Sequence, residues 1–273
     1  MNITTTTTEP TIMTKKNTRD IHLSVELDAS PEDVFRAVTE GTEIAKWLAP
    51  EARATAPDGA KKGTIWISWG EGMSVEHELE IFDAPKRVRH PSGKNGETKA
   101  PLYADWSIEA RAGGKATLRL VHSGFSASAD WDSEFEAHAR GWKLMLENLR
   151  QYFARHPHAP AVHLPFMSMV QSHHGEIWKT LVGKLGVSAT PKVGDPFRFT
   201  TPNGDVLTGV VDHVTETRAL GLVVREYDDA LLRFTLEGKP DAPSTFVYGY
   251  VIVYGAERER ASELLAAGNS AVA

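Results

Sequence analysis

His77 and His122 are the two side chains whose type and placement point first to chemistry. Each falls on a strand face that is otherwise apolar, His77 with Val75, Leu79 and Ile81, and His122 with Leu118 and Leu120. An imidazole held in an apolar hollow can act as a general acid or base, or can orient a polar ligand. The same placement also suits a strand-end histidine bonded to a backbone carbonyl. Trp47, Trp66, Trp69, Trp106 and Trp142 crowd the first half of the chain. An indole joins a large apolar body to one N–H donor. Trp69, Trp106 and Trp142 therefore suit the wall of a cavity for an aromatic or lipid-like guest, with an indole N–H free to donate, while the others suit a core. Gly141 lies inside a helical stretch, where glycine costs about 1 kcal/mol relative to alanine. It implies a close approach, either helix to sheet or helix to ligand, with backbone packing the simpler of the two.

Other candidates carry less. His156-x-His158 and His173-His174 lack a third ligand at useful spacing, so they read as solvated loop histidines and no metal site is expected. The chain has no cysteine, which removes disulfides, thiolate metal sites and a cysteine nucleophile. No nucleophile elbow, phosphate loop or dinucleotide fingerprint occurs. No catalytic residue and no cofactor is assigned.

These side chains need elements to hold them. From Ser133 to Phe153, apolar residues fall at Phe135, Ala139, Trp142, Leu146, Leu149 and Phe153, steps of three or four that share one face of an α-helix. Ser133 and Glu136 have the spacing of a capping box. From Phe135 to Phe153 such a helix is about 28 Å long, enough to cross a sheet. The sheet is upstream. Residues 20–27 alternate through Ile21, Leu23, Val25 and Leu27. Ser30-Pro31 opens a short helix, with Asp33 placed to close its cap, and a second helical piece includes Ile44, Trp47 and Leu48. Strands are expected over Thr64–Trp69, Val75–Phe82, Leu102–Ala110 and Ala116–His122, the last two joined at Gly113-Gly114. Successive strands of this kind pair antiparallel.

After the Pro/His-rich break at 154–160 the order of signals returns in divergent form. A helix follows Ser172, strands flank the Pro202-Asn-Gly-Asp205 turn, a strand spans Phe246–Tyr254, and a last helix covers about Ala256–Ala267 with Leu264 and Leu265 as anchors. A closing helix of roughly half length covers less of its sheet, so the second unit either has little cavity or borrows cover from the first.

Composition sets the outer bounds. The 273 residues are 41% hydrophobic and 24% charged, with a net charge of −6, ordinary values for a globular protein. Residues 160–273 carry 10 Lys+Arg against 13 Asp+Glu, leaving 20 against 23 for the rest. Neither half has the basic footprint of a nucleic-acid binder. No secretory core or membrane-length apolar run is visible, and the absence of cysteine fits a cytoplasmic location. Residues 1–18, rich in threonine, hold too little apolar surface to order themselves and are expected to form a disordered tail.

Ala29-Ser-Pro-Glu-Asp-Val-Phe35, Lys46-Trp-Leu48, Trp106-Ser-Ile108, His122-Ser-Gly-Phe125 and Gly141-Trp142 followed by Leu146-Glu-Asn-Leu149 resemble the helix-grip domains of the SRPBCC superfamily. Within it they are most similar to the family related to the C-terminal domain of the heat-shock protein 90 ATPase activator. The likeness runs over residues 20–155, and the second half follows it in outline. The resemblance implies a curved antiparallel sheet gripping a long C-terminal helix over a hydrophobic cavity. The expected fold is α+β, two tandem helix-grip (START-like) domains, with a tail at 1–18, the first domain at 19–155, a linker at 156–162 and the second domain at 163–273. The expected cavity residues are Trp69, His77, Trp106, His122, Phe125, Trp142 and Leu146. Three functions stay open: a non-catalytic binder of a small hydrophobic molecule, a chaperone partner acting as an interaction module, and a small cyclase or hydrolase using His77 or His122.

Overall fold

A computed structural model describes residues 18–272. The expected tail lies outside the described residues except for Thr18, which opens the first strand. The chain runs β1 (Thr18–Leu27), α1 (Pro31–Thr39), α2 (Gly41–Ile44), β2 (Glu51–Thr55), β3 (Thr64–Ser68), β4 (Ser74–Glu78), β5 (Ile81–Asp83), β6 (Arg87–Lys94), β7 (Pro101–Arg111) and β8 (Lys115–Ser126). A 3-10 turn at Ala129–Trp131 leads into α3 (Asp132–Arg155). Then come β9 (Ala161–Val170), α4 (His174–Lys184), β10 (Pro196–Thr200), β11 (Val206–Thr215), β12 (Ala219–Val224), β13 (Ala230–Glu237), β14 (Thr245–Tyr254) and α5 (Arg258–Val272). The fold is α+β, with two bodies of antiparallel sheet, each followed by a helix.

In the first body β1-β8-β7-β6-β5 form one sheet and β2-β3-β4 a smaller one. The expected strand over Val75–Phe82 is in fact two. Leu79 N–H donates to the Gly63 carbonyl at 2.8 Å and Glu80 N–H to the Arg89 carbonyl at 2.8 Å, so the chain passes from the small sheet to the large one between those residues. Ser30 caps α1 as expected, its hydroxyl accepting from Asp33 N–H at 3.1 Å, although the same hydroxyl also donates to the Asp33 carboxylate. The capping box at Ser133 does not form. Trp131 sits at the N-cap without a side-chain bond, because the 3-10 turn delivers the chain into the helix directly.

The second body is one six-stranded sheet, β10-β11-β12-β13-β14-β9, and both its faces are covered. Leu222, Leu232, Val251 and Val253 pack with Ile177 and Leu181 of α4 and Leu264 of α5. The alternate residues Val223, Leu231, Tyr250, Ile252 and Tyr254 pack with Leu146, Leu149 and Tyr152 of α3. The shorter closing helix is thus supplemented on the opposite face by α3, the borrowed cover anticipated from the sequence. Two details differ from expectation. α5 extends to Val272 rather than ending near Ala267, and β9 already starts at Ala161, inside the segment read as linker.

A buried polar network ties α3 to this sheet. Arg233, fully buried, donates from Nη1 and Nη2 to the two Asp212 carboxylate oxygens at 2.8 and 2.7 Å, and its Nε donates to Asn148 Oδ1 at 2.8 Å. Asn148 Nδ2 in turn donates to the Trp47 carbonyl at 3.0 Å and the Tyr250 hydroxyl at 2.9 Å. Tyr254 donates to the Lys46 carbonyl at 3.0 Å. Both buried charges of this network, Arg233 and Asp212, are partnered, which is the condition on which buried ions are tolerated.

Candidate functional site

Between the N-terminal half of α3 and the strands lies a hollow of about 480 Å³. Ile65 and Ile67 of β3, Val75 and His77 of β4, His90 of β6, Trp106 of β7 and His122 of β8 form its sheet side; Ile44, Trp47 and Leu48 close one end. α3 contributes Ala137, His138, Gly141, Trp142 and Met145. The opening is marked by the partly exposed Val75, His77, Ser92 and His138 and by exposed Gly93. β5 stops at the pairing of Ile81 with Arg89, so β6 from His90 onward has no neighbour from β5 beside it.

The hollow persists where α3 presents Ala137 and Gly141. A Cβ added at Gly141 would meet nothing within 4 Å. The backbone packing expected at this glycine is therefore absent, and Gly141 faces open space. Four residues on, the helix turns to Met145, and beyond it to Leu146, Leu149, Tyr152 and Phe153, which are buried in continuous contact.

The tryptophans are fixed by their own N–H groups. Trp47 Nε1 donates to the Ala37 carbonyl at 2.8 Å, Trp69 Nε1 to the Leu48 carbonyl at 3.1 Å, and Trp142 Nε1 to His122 Nδ1 at 2.8 Å. Of the indole donors expected to be free for a ligand, those of Trp69 and Trp142 are thus engaged. Trp106 stands edge-on to both Trp47 and Trp142, with centroids 6.2 and 5.2 Å away, the geometry aromatic rings favour. Trp66 faces away from the hollow, under the Arg53 guanidinium.

The Trp142 bond decides the state of His122. An indole N–H can only donate, so Nδ1 is the acceptor and the proton of the neutral ring sits on Nε2. His122 is 1% exposed, and Nε2 has no partner in the protein. The Ser92 carbonyl favours the protonated ring but falls outside hydrogen-bond geometry. Burial, reinforced by His138, pushes the His122 ring down to about 3. Burial likewise takes His90 to about 4, with Nδ1 2.6 Å from the Pro91 carbonyl opposing it. His77, stacked on His90 at 5.9 Å, is also lowered by burial. Among the described residues no Lys, Arg, Asp or Glu lines the hollow.

Of the expected cavity residues, Trp69, His77, Trp106, His122 and Trp142 come together at the hollow, and Phe125 and Leu146 do not. A bulge after His122 keeps Phe125 on the helix side, its ring 4.7 Å from that of His122, but it packs with Ile21, Leu102 and Phe135 instead of lining the hollow. Leu146 follows the lining Met145 by one residue, about 100° around the helix, and joins the core. His90, His138 and Trp47 were not anticipated at the site. His138 was accessible from sequence, four residues before Trp142 on the same helical face. The distal histidines form no metal site, and among the described residues no group of three metal-ligating side chains occurs. His158 is exposed, but His156 stacks on Tyr254 at 4.3 Å. His174 is not a solvated loop residue: it is 1% exposed, with Nε2 3.2 Å from the Glu237 carbonyl, because α4 starts at this residue against β13.

Residues 28–154 match a family model described as Activator of Hsp90 ATPase homolog 1-like protein. Among solved structures, the di-domain ARO/CYC BexL from the BE-7585A biosynthetic pathway is similar over 92% of this chain and 94% of its own, at 14% identity and a TM-score of 0.43. The Aha1 dimer from Colwellia psychrerythraea is similar over 50% of this chain and 96% of that one, at 21% identity and a TM-score of 0.40. An HSP90 activator from Plasmodium falciparum is similar over 48% and 92%, at 17% identity and 0.39. No curated protein matches the sequence. Among the described residues no helix is long and apolar enough to cross a membrane.

Proposed function

From a chain whose residues 28–154 form a domain of the Activator of Hsp90 ATPase homolog 1-like family, we propose that the hollow under α3 is a receptor for a small hydrophobic molecule and performs no chemistry on it. The observation that carries this reading is the unfilled volume lined by Trp69, Trp106 and Trp142, with no Lys, Arg, Asp or Glu in its wall. At about 480 Å³ it falls in the range of roughly 300–1,000 Å³ usual for ligand sites. It is also about three times the ~150 Å³ apolar cavity that admits benzene. The cyclase or hydrolase reading is weaker on acid–base grounds. Rings at about 3 and 4, His122 and His90, are poor bases at neutral pH, and no carboxylate stands among the lining residues to raise them.

Titration of the full chain with the neutral fluorophore N-phenyl-1-naphthylamine tests the proposal. Saturable one-to-one uptake with quenching of tryptophan emission is expected, lost in Gly141→Leu at a melting temperature no lower than that of the wild type. Failure of the wild-type chain to take up the probe overturns it.

A second reading, partnership with a chaperone, is favoured by the family match alone. Co-precipitation of purified heat-shock protein 90 with the full chain, and stimulation of its ATPase, is the expected result. No binding at micromolar concentration removes this reading and leaves the first untouched.

A further inference from the structure

His90 Nε2 is an acceptor left open inside the hollow. The alternation of β6 puts Val88 and His90 on the covered face, where His90 lies beside Ala104 and is 7% exposed. What surface the ring keeps therefore opens into the hollow that it lines. Its Nδ1 stands 2.6 Å from the Pro91 carbonyl. A carbonyl can only accept, so Nδ1 carries the proton and Nε2 of the neutral ring presents a lone pair. Among the described residues no donor meets that lone pair, and Nε2, unlike the sealed Nε2 of His122, keeps accessible surface. Resting on the receptor reading above, we infer that the guest is a hydroxyl compound, a phenol or an alcohol, whose O–H donates to His90 Nε2.

The opposite wall repeats the arrangement. His138 Nδ1 stands 2.9 Å from the Glu134 carbonyl, one turn back along α3, so Nε2 of its neutral ring is likewise an acceptor. β6 and α3 thus both ask for a donor. The protein does not supply one from its own histidines: His77 stacks on His90 with the rings 20° from parallel, so its N–H points alongside the His90 ring and not at Nε2. The indole donors of Trp47, Trp69 and Trp142 are spent on other acceptors. That of Trp106, a ring 3% exposed, has no partner among the described residues. A hydroxyl, donor and acceptor together, suits both kinds of open group, whereas an ether or a ketone suits only Trp106. A carboxylate would set its lone pairs against that of His90 Nε2, and no Lys or Arg lines the hollow to hold it. An ammonium has protons to give but finds no Asp or Glu among the lining residues. Burial, which takes the His90 ring to about 4, keeps Nε2 an acceptor at neutral pH.

Four probes on one skeleton separate the terms: 2-naphthol, 2-methoxynaphthalene, 2-methylnaphthalene and 2-naphthoate, titrated into the full-length protein at pH 7. The naphthol is expected to bind about ten-fold tighter than the methoxy compound, which keeps the oxygen and loses the proton, the difference between a made and an unmade hydrogen bond. The methyl compound should bind no tighter than the methoxy compound, and the carboxylate weakest. His90→Phe is expected to bring naphthol and methoxynaphthalene to equal affinity while both still bind. Should that variant fail to fold, histidine 15N spectra of the wild type decide the matter: the naphthol, and not the methyl compound, moves the unprotonated His90 Nε2 resonance upfield. Equal affinity of naphthol and methoxynaphthalene in the wild type, tightest binding of the carboxylate, or a naphthol preference that survives in His90→Phe overturns this inference and leaves the receptor reading standing. Failure of all four probes to bind overturns both.

Discussion

The two halves of α3 do opposite work within one continuous helix. From Leu146 to Phe153 it lies between two sheets, and Leu146, Leu149, Tyr152 and Phe153 fill the space while Asn148 links the Trp47 turn to Arg233 and Tyr250. From Ala137 to Met145 its hollow-facing residues are half-exposed, and a glycine and an alanine leave a volume unoccupied. A helix clamped on both sides at one end can hold its other end over a void. The lesson is that the hollow owes its existence to the packing beside it, so damage to the clamped half and damage to the open half should look different.

The largest contrast comes from the network. Arg233→Ala leaves the buried Asp212 carboxylate unpaired and is expected to cost about 3–5 kcal/mol, read by urea unfolding. The double change Arg233→Met with Asp212→Leu should recover most of that loss. A cost under 1 kcal/mol for the single change would mean that the clamp is not where stability lies. Leu149→Ala, a truncation at a fully buried site, is next, at about 2–5 kcal/mol from lost transfer and a new cavity. Equal insensitivity of Leu149 and Gly141 to substitution would erase the distinction between the halves.

Acid probes the wall of the open half. His90 and His122 lie at about 4 and 3 in the folded protein, below the 6.5 of an unburied ring. The unfolded chain therefore binds protons that the folded one refuses, and stability, complete above pH 6.5, falls as pH drops toward 4 and 3. Each histidine contributes about 1.4 kcal/mol per pH unit in that window. The slope of unfolding free energy between pH 6 and 5 should decrease by about that much in His122→Phe. An unchanged slope contradicts the buried neutral ring. The smallest effect has the opposite sign: Gly141→Ala should stabilise by up to about 1 kcal/mol through helix propensity, because the new methyl meets no atom, yet weaken uptake of N-phenyl-1-naphthylamine. A loss of stability there would show that the helix is packed at that point.

What could be read from the chain follows the same divide. The run from Phe135 to Phe153 announces α3, and the alternation of Ile21 to Leu27 and of Ala104, Trp106 and Ile108 announces β1 and β7, since each element has one covered face. β12 was silent because all six residues of ALGLVV are buried: sheet faces covered on both sides have no polar alternation to report. β6 was hidden by Pro91, which the strand accommodates past the end of β5. Missing β6 also hid His90. The hollow itself was legible only as a list of its bulky walls. Its openness depends on which residues fail to reach one another, and Gly141, read as a sign of close packing, marks the reverse.

The claim on which the rest stands is that α3 is packed solid along one half and stands over empty apolar space along the other. Xenon pressurisation of crystals of the full chain tests it directly, because xenon enters dry apolar cavities. The account predicts xenon density between Gly141, Trp106 and Ile65, and none along Leu149 to Phe153. Side chains filling the first position, or xenon bound beside the second, would contradict it.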